Sequence, residues 1–305
     1  MSRETRIDSN PDQARRAAGG YSVSVPSVPT ASPVAKALWF IENHSSEEIA
    51  LDGIAAAAGV SRYHLSRAFG LVTGFSVMQY LRGRRLSDAA RILSAGAPDI
   101  LTVALEAGYG SHEAFTRAFR DQFGLTPEAV RAQGSVQSIE LREPIAMDET
   151  VLTSIEPQRF EDGKALLLVG LSERCGDNMN APAQWQRFVP HIGHIPGQIG
   201  FTTYGVLHNQ DDAANMEYMC AVEVPDFSRV PPDLSRLRVP EQRYAVFFHP
   251  GHVSTIRQSW MTIFNKWLPE SGYKAAGAPE FERYTERFNP MTGAGGVEIW
   301  IPVKS

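Results

Sequence analysis

The sequence predicts a multidomain chain: an all-α domain built from one supersecondary unit used twice, then an α+β domain of two strand-helix-strand-strand units. Three observations predict it. Residues 32–134 read as helices punctuated by Gly and Ser, whereas after Gly134 the apolar runs become short and strand-like and prolines multiply. A pattern inside the first part recurs at an offset of 49 to 50 residues. The charge divides as well: residues 1–134 carry 14 Lys and Arg against 13 Asp and Glu, and residues 135–305 carry 15 against 21. Within 61–131 there are 9 basic against 6 acidic residues, so the first part is locally basic and the other is acidic.

Length agrees, because 305 residues at ~150 per domain suggest two domains, each able to bury a core. Two cysteines, Cys175 and Cys220, exclude a disulfide-stapled scaffold. No apolar run reaches the ~18 residues of a membrane-spanning helix, and residues 1–31 hold no apolar segment of a signal peptide. The chain is therefore expected in the cytoplasm, with no membrane partner. Residues 1–31 have few large apolar side chains and are expected to be disordered.

Order begins at Ser32-Pro33, an N-cap followed by proline at the first helical position. Val34, Ala37, Leu38 and Ile41 then follow helical spacing. Each repeated unit reads as a helix-turn-helix. A first helix presents Ile54, Ala55 and Ala58, or Val103 and Ala104. Gly59 or Gly108 supplies the turn, and Ser61 or Ser111 caps a second helix. That helix buries Leu65 and Phe69, or Phe115 and Phe119, four residues apart. A linker helix over 76–95 joins the units, with Tyr80, Leu81, Leu86, Ala90 and Leu93 as its buried stripe. The boundary falls at 134–138, giving domains at 32–134 and 137–305.

The residues Leu51-Asp52-x-Ile54-Ala55, Gly59-x-Ser61-x-x-x-Leu65-x-Arg67-x-Phe69 and Gly108-Tyr109-x-Ser111-x-x-x-Phe115-x-Arg117-x-Phe119-x-x-x-Phe123-Gly124-x-Thr126-Pro127 closely resemble the AraC/XylS transcription regulators over 33–133. One departure is Val77, where such proteins usually carry proline at the start of the linker helix. The resemblance implies binding to double-stranded DNA. A recognition helix enters the major groove and reads base edges with its outward side chains. A linker of about 20 residues spans roughly 30 Å, near the ~34 Å of one duplex turn. The expected target is an asymmetric site of ~20 base pairs.

The side chains off the buried face are Arg62, Tyr63, Ser66 and Arg67 in the first reader, and His112, Glu113, Thr116 and Arg117 in the second. Arg67 and Arg117 match positions that read bases or adjacent phosphates in the family. An arginine fork suits guanine, and Glu113 either accepts from cytosine or repels phosphate. Arg82, Arg84, Arg85 and Arg120 are candidate phosphate contacts, or else a solvated face.

In the second part, strands are expected near 164–172, 199–208 and 216–224, with a helix near 182–190. The pattern then repeats with strands near 242–249, 279–288 and 296–303 and a helix near 253–268. Tyr244-Ala245-Val246-Phe247-x-His249-x-Gly251, Trp267-Leu268-Pro269-x-Ser271-Gly272, Pro279-x-Phe281-Glu282-x-Tyr284 and Val297-Glu298-Ile299-Trp300-Ile301-Pro302 resemble the GyrI-like effector-binding domain over about 150–305. An AraC-type reader joined to such a domain is the layout of Rob-like regulators.

The resemblance implies a cleft for a small organic effector, often aromatic or cationic, with a glutamate on the penultimate strand. Glu282 falls on that position, and strand alternation puts Tyr284 on the same face. A carboxylate among aromatic rings attracts organic cations. Tyr204, Trp185 and Trp300 are candidates for the aromatic wall. The plainer readings are a surface ion pair of Glu282 with Arg283 or Arg287, and core packing for the three aromatics.

RNA polymerase is a candidate protein partner. No cofactor or metal is expected: His191-x-x-His194 and His249-x-x-His252 are interrupted by Gly or Pro and lack further ligands. An alternative is that the GyrI-like part hydrolyses a reactive small molecule, with Glu282, Tyr284 and Glu217 or Glu223 in acid–base roles, or merely sequesters one. The chain as a whole reads as a regulator rather than an enzyme.

Overall fold

Serine N-caps set the helical half. In a computed structural model of the chain, which describes residues 31–97, 99–148, 151–175, 180–209 and 216–304, Ser32 caps α1 (Pro33–His44). After α2 (Leu51–Ala58), Gly59 turns at φ 75° and Ser61 caps α3 (Arg62–Thr73), its Oγ accepting from His64 N at 3.2 Å. The linker helix α4 (Val77–Ser94) starts sharply without the proline. Ser76 and Gln79 form a reciprocal capping box in its place. The second unit repeats the first: α5 (Ile100–Glu106), a turn at Gly108 with φ 81°, and Ser111 capping α6 (His112–Phe123), before α7 (Pro127–Gln133).

The two units pack at opposite ends of α4, and the first unit's core runs on into that of the second half. Ile54, Leu65 and Phe69 pack with Tyr80 and Leu81 at one end of α4, and Val103, Phe115 and Phe119 pack with Leu86, Ala90 and Leu93 at the other. At 18 residues, α4 is about 27 Å long. Beyond Gln133 the chain runs back along α4: Arg142 N donates to Ser87 Oγ at 2.7 Å and Ile145 N to Tyr80 Oη at 3.1 Å. Residues 142–147, expected in the second domain, thus pack on the first.

The second half is an antiparallel sheet in the order β1-β6-β9-β8-β3-β4-β2-β5. Its strands are β1 (Arg159–Gly163), β2 (Leu166–Cys175), β3 (Thr203–His208), β4 (Met216–Glu223), β5 (Ser235–Val239), β6 (Gln242–His249), β8 (Glu280–Tyr284) and β9 (Val297–Lys304), with the short β7 (Lys274–Ala275) paired to β9. The two expected units are β2-α8-β3-β4, with α8 at Ala181–Phe188, and β6-α9-β8-β9, with α9 at Ile256–Thr262. They meet where β3 pairs with β8. β1 and β5 were not expected. Each precedes one unit and pairs with the other, β1 on β6 and β5 on β2. Both are short, polar edge strands, which carry little periodic signal.

The helix from Ile256 does not stop at Pro269. It opens into a π turn over Ile263–Trp267 and continues as Leu268–Glu270, ending before Gly272 at φ 76°. In the π register Leu268 N donates to Ile263 O. The next carbonyl, Phe264 O, would face the nitrogen of Pro269, which has no hydrogen.

Residues Ser32–Ser305 form one compact unit, so the two halves are docked. The segment 1–31, expected to be disordered, lies outside the described residues apart from Ala31. Among the described residues no helix is long and apolar enough to cross a membrane, and no group of three His, Cys, Asp or Glu side chains is arranged to hold a metal ion.

Candidate functional site

Strand alternation brings Glu280, Glu282 and Tyr284 of β8 onto the sheet face covered by α8 and α9. Glu282 is 7% exposed and sits in an aromatic cage. Trp260 Nε1 donates to its Oε1 at 2.9 Å, while Tyr284 Oη at 2.7 Å and Tyr218 Oη at 3.2 Å donate to its Oε2. Trp185 Nε1 donates to Tyr218 Oη at 2.9 Å, and its ring stands edge-on to Tyr284 at 5.3 Å. Burial pushes the Glu282 carboxyl above its ordinary value, against these hydrogen bonds and the charge of Arg67. The cage thus combines a desolvated carboxyl group with aromatic side chains whose N–H and O–H groups point at it.

Gly205 makes the cage possible. It lies opposite Glu282 in the β3–β8 pairing. A Cβ there would come 2.3 Å from Tyr218 Oη and 2.8 Å from Glu282 Oε2. The absent side chain is the space in which the carboxylate and the phenol meet.

Of the five expected cleft residues, the structure brings Glu282, Tyr284 and Trp185 together. Tyr204 and Trp300 belong to the opposite face. They neighbour Gly205 and Ile299, the residues paired with Glu282, so the pleat turns them away. There Tyr204 Oη donates to Glu223 Oε2 at 3.4 Å, Trp300 Nε1 to Glu298 Oε2 at 3.0 Å, and both rings pack on Phe281. The surface ion-pair reading of Glu282 also falls, since it is Glu298 that pairs with Arg283, at 3.4 Å. Glu223 and Glu217, considered as helpers of Glu282, engage Tyr204 and Ser172 instead. Tyr218 and Trp260 were missed. Their approach to Glu282 depends on sheet register and helix docking, which no local pattern encodes.

Glu280 was missed as well, although the alternation Glu280-x-Glu282-x-Tyr284 placed it on the same face. It is fully buried, and its partners come from the helical half. Arg67 Nε donates to its Oε2 at 2.8 Å and Tyr63 Oη to its Oε1 at 2.6 Å. The Arg67 guanidinium carbon lies 5.0 Å from the centroid of Trp260 and 5.4 Å from that of Phe264. This revises the expectation that the reading side of α3 faces outward. Arg67 and Ser66 are each 4% exposed and Tyr63 is half-buried, because α3 packs against α9 and its π turn. A cavity of about 360 Å³ lies at this seam, lined by Tyr63, Arg67, Leu207, His208, Met216 and Pro279 among others.

The equivalent side of α6 is open. Arg117, Arg120 and Glu113 are exposed. His112 Nε2 lies 3.0 Å from Glu128 Oε1, and the Thr116 hydroxyl is buried without a hydrogen-bond partner. The backbone amide of Glu113 and the Ser111 hydroxyl hold the Glu113 carboxylate below its ordinary value. On α3, Arg62 stays at the surface and pairs with Asp52 at 3.2 Å. Two of the candidate phosphate contacts are structural. Arg84 Nε donates to Glu42 at 3.0 Å and its Nη1 to Arg142 O at 2.6 Å, while Arg85 Nε donates to Ser45 O at 2.7 Å. Arg82 remains exposed. The His249-x-x-His252 pair is used internally, with His249 Nδ1 2.9 Å from Ser259 Oγ and its Nε2 3.1 Å from His252 O.

Residues 54–133 match a helix-turn-helix domain family, and residues 157–304 match the GyrI-like small molecule binding domain. The transcriptional regulator Rob of Salmonella typhimurium is 26% identical over 279 residues, covering 88% of this chain and 96% of that protein. The right origin-binding protein of Escherichia coli is 25% identical over 281 residues, with the same two coverages, 88% and 96%. The probable transcription factor PqrA of Proteus vulgaris is 38% identical over 91 residues, which is 30% of this chain and 75% of that protein. Rob and PqrA are thus named for transcription regulation. With two helix-turn-helix units of the expected anatomy followed by a GyrI-like domain, the chain belongs to the AraC-type DNA-binding transcription regulators.

Proposed function

We propose that this regulator alters its contacts with promoter DNA when a small organic cation reaches the Glu282 cage. The observation that carries the reading is a carboxyl group at 7% exposure, held by Trp260, Tyr284 and Tyr218. An aromatic cation offers such a site a charge for the carboxylate and a partner for the ring faces. The seam cavity of about 360 Å³ supports the reading, since it falls within the size range of small-molecule sites and is lined by Arg67, whose guanidinium lies over Trp260 of the cage. On the DNA side, α6 would read bases through Arg117, with Thr116, Glu113 and His112 beside it and Arg120 on phosphate. Arg62, Tyr63, Ser66 and Arg67 would do the same from α3. The target would be an asymmetric site of ~20 base pairs, and RNA polymerase the protein partner at a promoter.

A thermal unfolding assay of the full chain tests the effector reading. Tetraphenylphosphonium serves as the cationic probe and triphenylphosphine oxide as a neutral control. At a concentration of 100 times Kd, a ligand confined to the folded state adds about 2.7 kcal/mol. Stabilisation by the cation, absent with the oxide and lost in Glu282→Gln, is the expected result. Stabilisation retained in Glu282→Gln would remove the carboxyl group from the account.

A further inference from the structure

The two reader helices are copies of one unit, yet they stand in opposite states. Arg117 is exposed, and Arg67, its counterpart 50 residues earlier, is 4% exposed inside the seam. Three polar groups explain why α3 stays there. The first is Glu280, a fully buried carboxylate from β8 whose two hydrogen-bond donors, Arg67 and Tyr63, both belong to α3. The second is Phe264 O, whose partner position in the π register is Pro269, a residue with no N–H. His64 Nε2 donates to it at 2.6 Å. The third is Leu71 O in the last turn of α3, where helix carbonyls lack partners. Arg257 of α9 donates to it through Nε at 2.9 Å and Nη2 at 2.7 Å. Each is a group that one half leaves unsatisfied and the other half satisfies; the contacts to Glu280 and Phe264 O are buried, where an unpaired polar group is costly, while the one to Leu71 O lies at the surface.

Arg67 also stands where a cationic effector would stand. Its guanidinium lies over Trp260, the same ring whose Nε1 holds Glu282. An aromatic cation approaching Glu282 from the seam meets a site whose positive charge is already supplied from within the chain.

We propose that Arg67 is a tethered cation that binds the effector domain at Glu280 and Trp260, holds the first reader helix off DNA, and is displaced by an organic cation. The proposal rests on reading α3 as a DNA reader and, for the ligand, on the effector reading above. The docked chain reads DNA through α6 alone. The released chain presents both helices. DNA and the organic cation then favour the same released state, so each tightens the binding of the other by the same factor.

The test is the affinity of the full chain for a labelled duplex selected by that chain from a randomised pool. Glu280→Gln and Arg257→Ala both weaken the seam from the effector-domain side and lie outside the DNA readers and the Glu282 cage. Arg257 is exposed, so its variant keeps the test available where Glu280→Gln fails to fold. The expected result is at least about fivefold tighter binding in either folded variant, the lower end of ordinary coupling. Unchanged or weaker binding in both would overturn the proposal. The effector reading fails separately. Tighter binding in the variants with no response to tetraphenylphosphonium supports the restraint and removes the cation. A probe response that needs Glu282, with DNA affinity unmoved in both variants, overturns the restraint and leaves the effector reading standing.

Discussion

Replacing Gly205 with alanine strikes the cage at its narrowest point. The new methyl would lie 2.3 Å from Tyr218 Oη, 2.8 Å from Glu282 Oε2 and 3.0 Å from Tyr218 Cζ. The backbone at Gly205 is not in the left-handed region, so the conformation accepts alanine and the conflict is one of space. Alanine restricts the unfolded chain and gains about 0.4–1 kcal/mol on that account. Overpacking costs about 1–3 kcal/mol. Tyr218 must also withdraw from a buried carboxyl group, and a hydrogen bond of that kind is worth about 1.5–3 kcal/mol. The net loss is about 3 kcal/mol, a fall in Tm of roughly 6–12 °C for a domain of this size. Chemical denaturation of Gly205→Ala, Tyr218→Phe and the double variant reads both the loss and its origin. Phenylalanine removes the hydroxyl that the methyl meets, so the double variant should be more stable than the sum of the single losses by about 1–2 kcal/mol. Additive losses, or a Gly205→Ala chain within about 0.5 kcal/mol of the parent, would refute the reasoning.

Arg117→Ala should weaken binding to the selected duplex by about 1–3 kcal/mol and relax specificity at one base position, as fluorescence anisotropy against a randomised duplex would show; equal losses on both would make Arg117 a phosphate contact. Burial raises the Glu282 carboxyl above its reference value of 4.5, so the folded state binds the proton more tightly than the unfolded state. The Glu282 contribution to stability is then fully present below that reference value and is lost as pH rises through the raised one. Denaturation midpoints across pH should show this fall in the parent chain and its absence in Glu282→Gln. Over the same interval, affinity for tetraphenylphosphonium should increase. Burial also pushes the Cys175 thiol up to about 11 and the Cys220 thiol higher still. Neither should react with a thiol reagent at pH 8 until the chain unfolds, and rapid labelling of the native chain would contradict the packing described.

Much of the helical half was legible because its determinants are local. Ser61 and Ser111 cap their helices, Gly59 and Gly108 turn with positive φ, and Leu65, Phe69, Phe115 and Phe119 are fully buried, as their spacing required. On β8, period-two alternation sufficed to put Glu282 and Tyr284 on one face. Tyr204 and Trp300 went astray because the parity of β3 and β9 is fixed by pairing with β8, and one residue of register exchanges the faces. The seam was illegible for a stronger reason. Arg67 and Glu280 are 213 residues apart, and neither carries a local mark of the other. The motif in α3 carries no mark of the groups that cover it, which lie on β8 and α9 of the other half.

The most direct measurement is one anisotropy titration of the labelled selected duplex with the full chain, repeated at a saturating concentration of tetraphenylphosphonium. The account predicts tighter DNA binding by at least about fivefold, because cation and duplex favour the same released state. Affinity that is unchanged or weaker with the cation bound would contradict it.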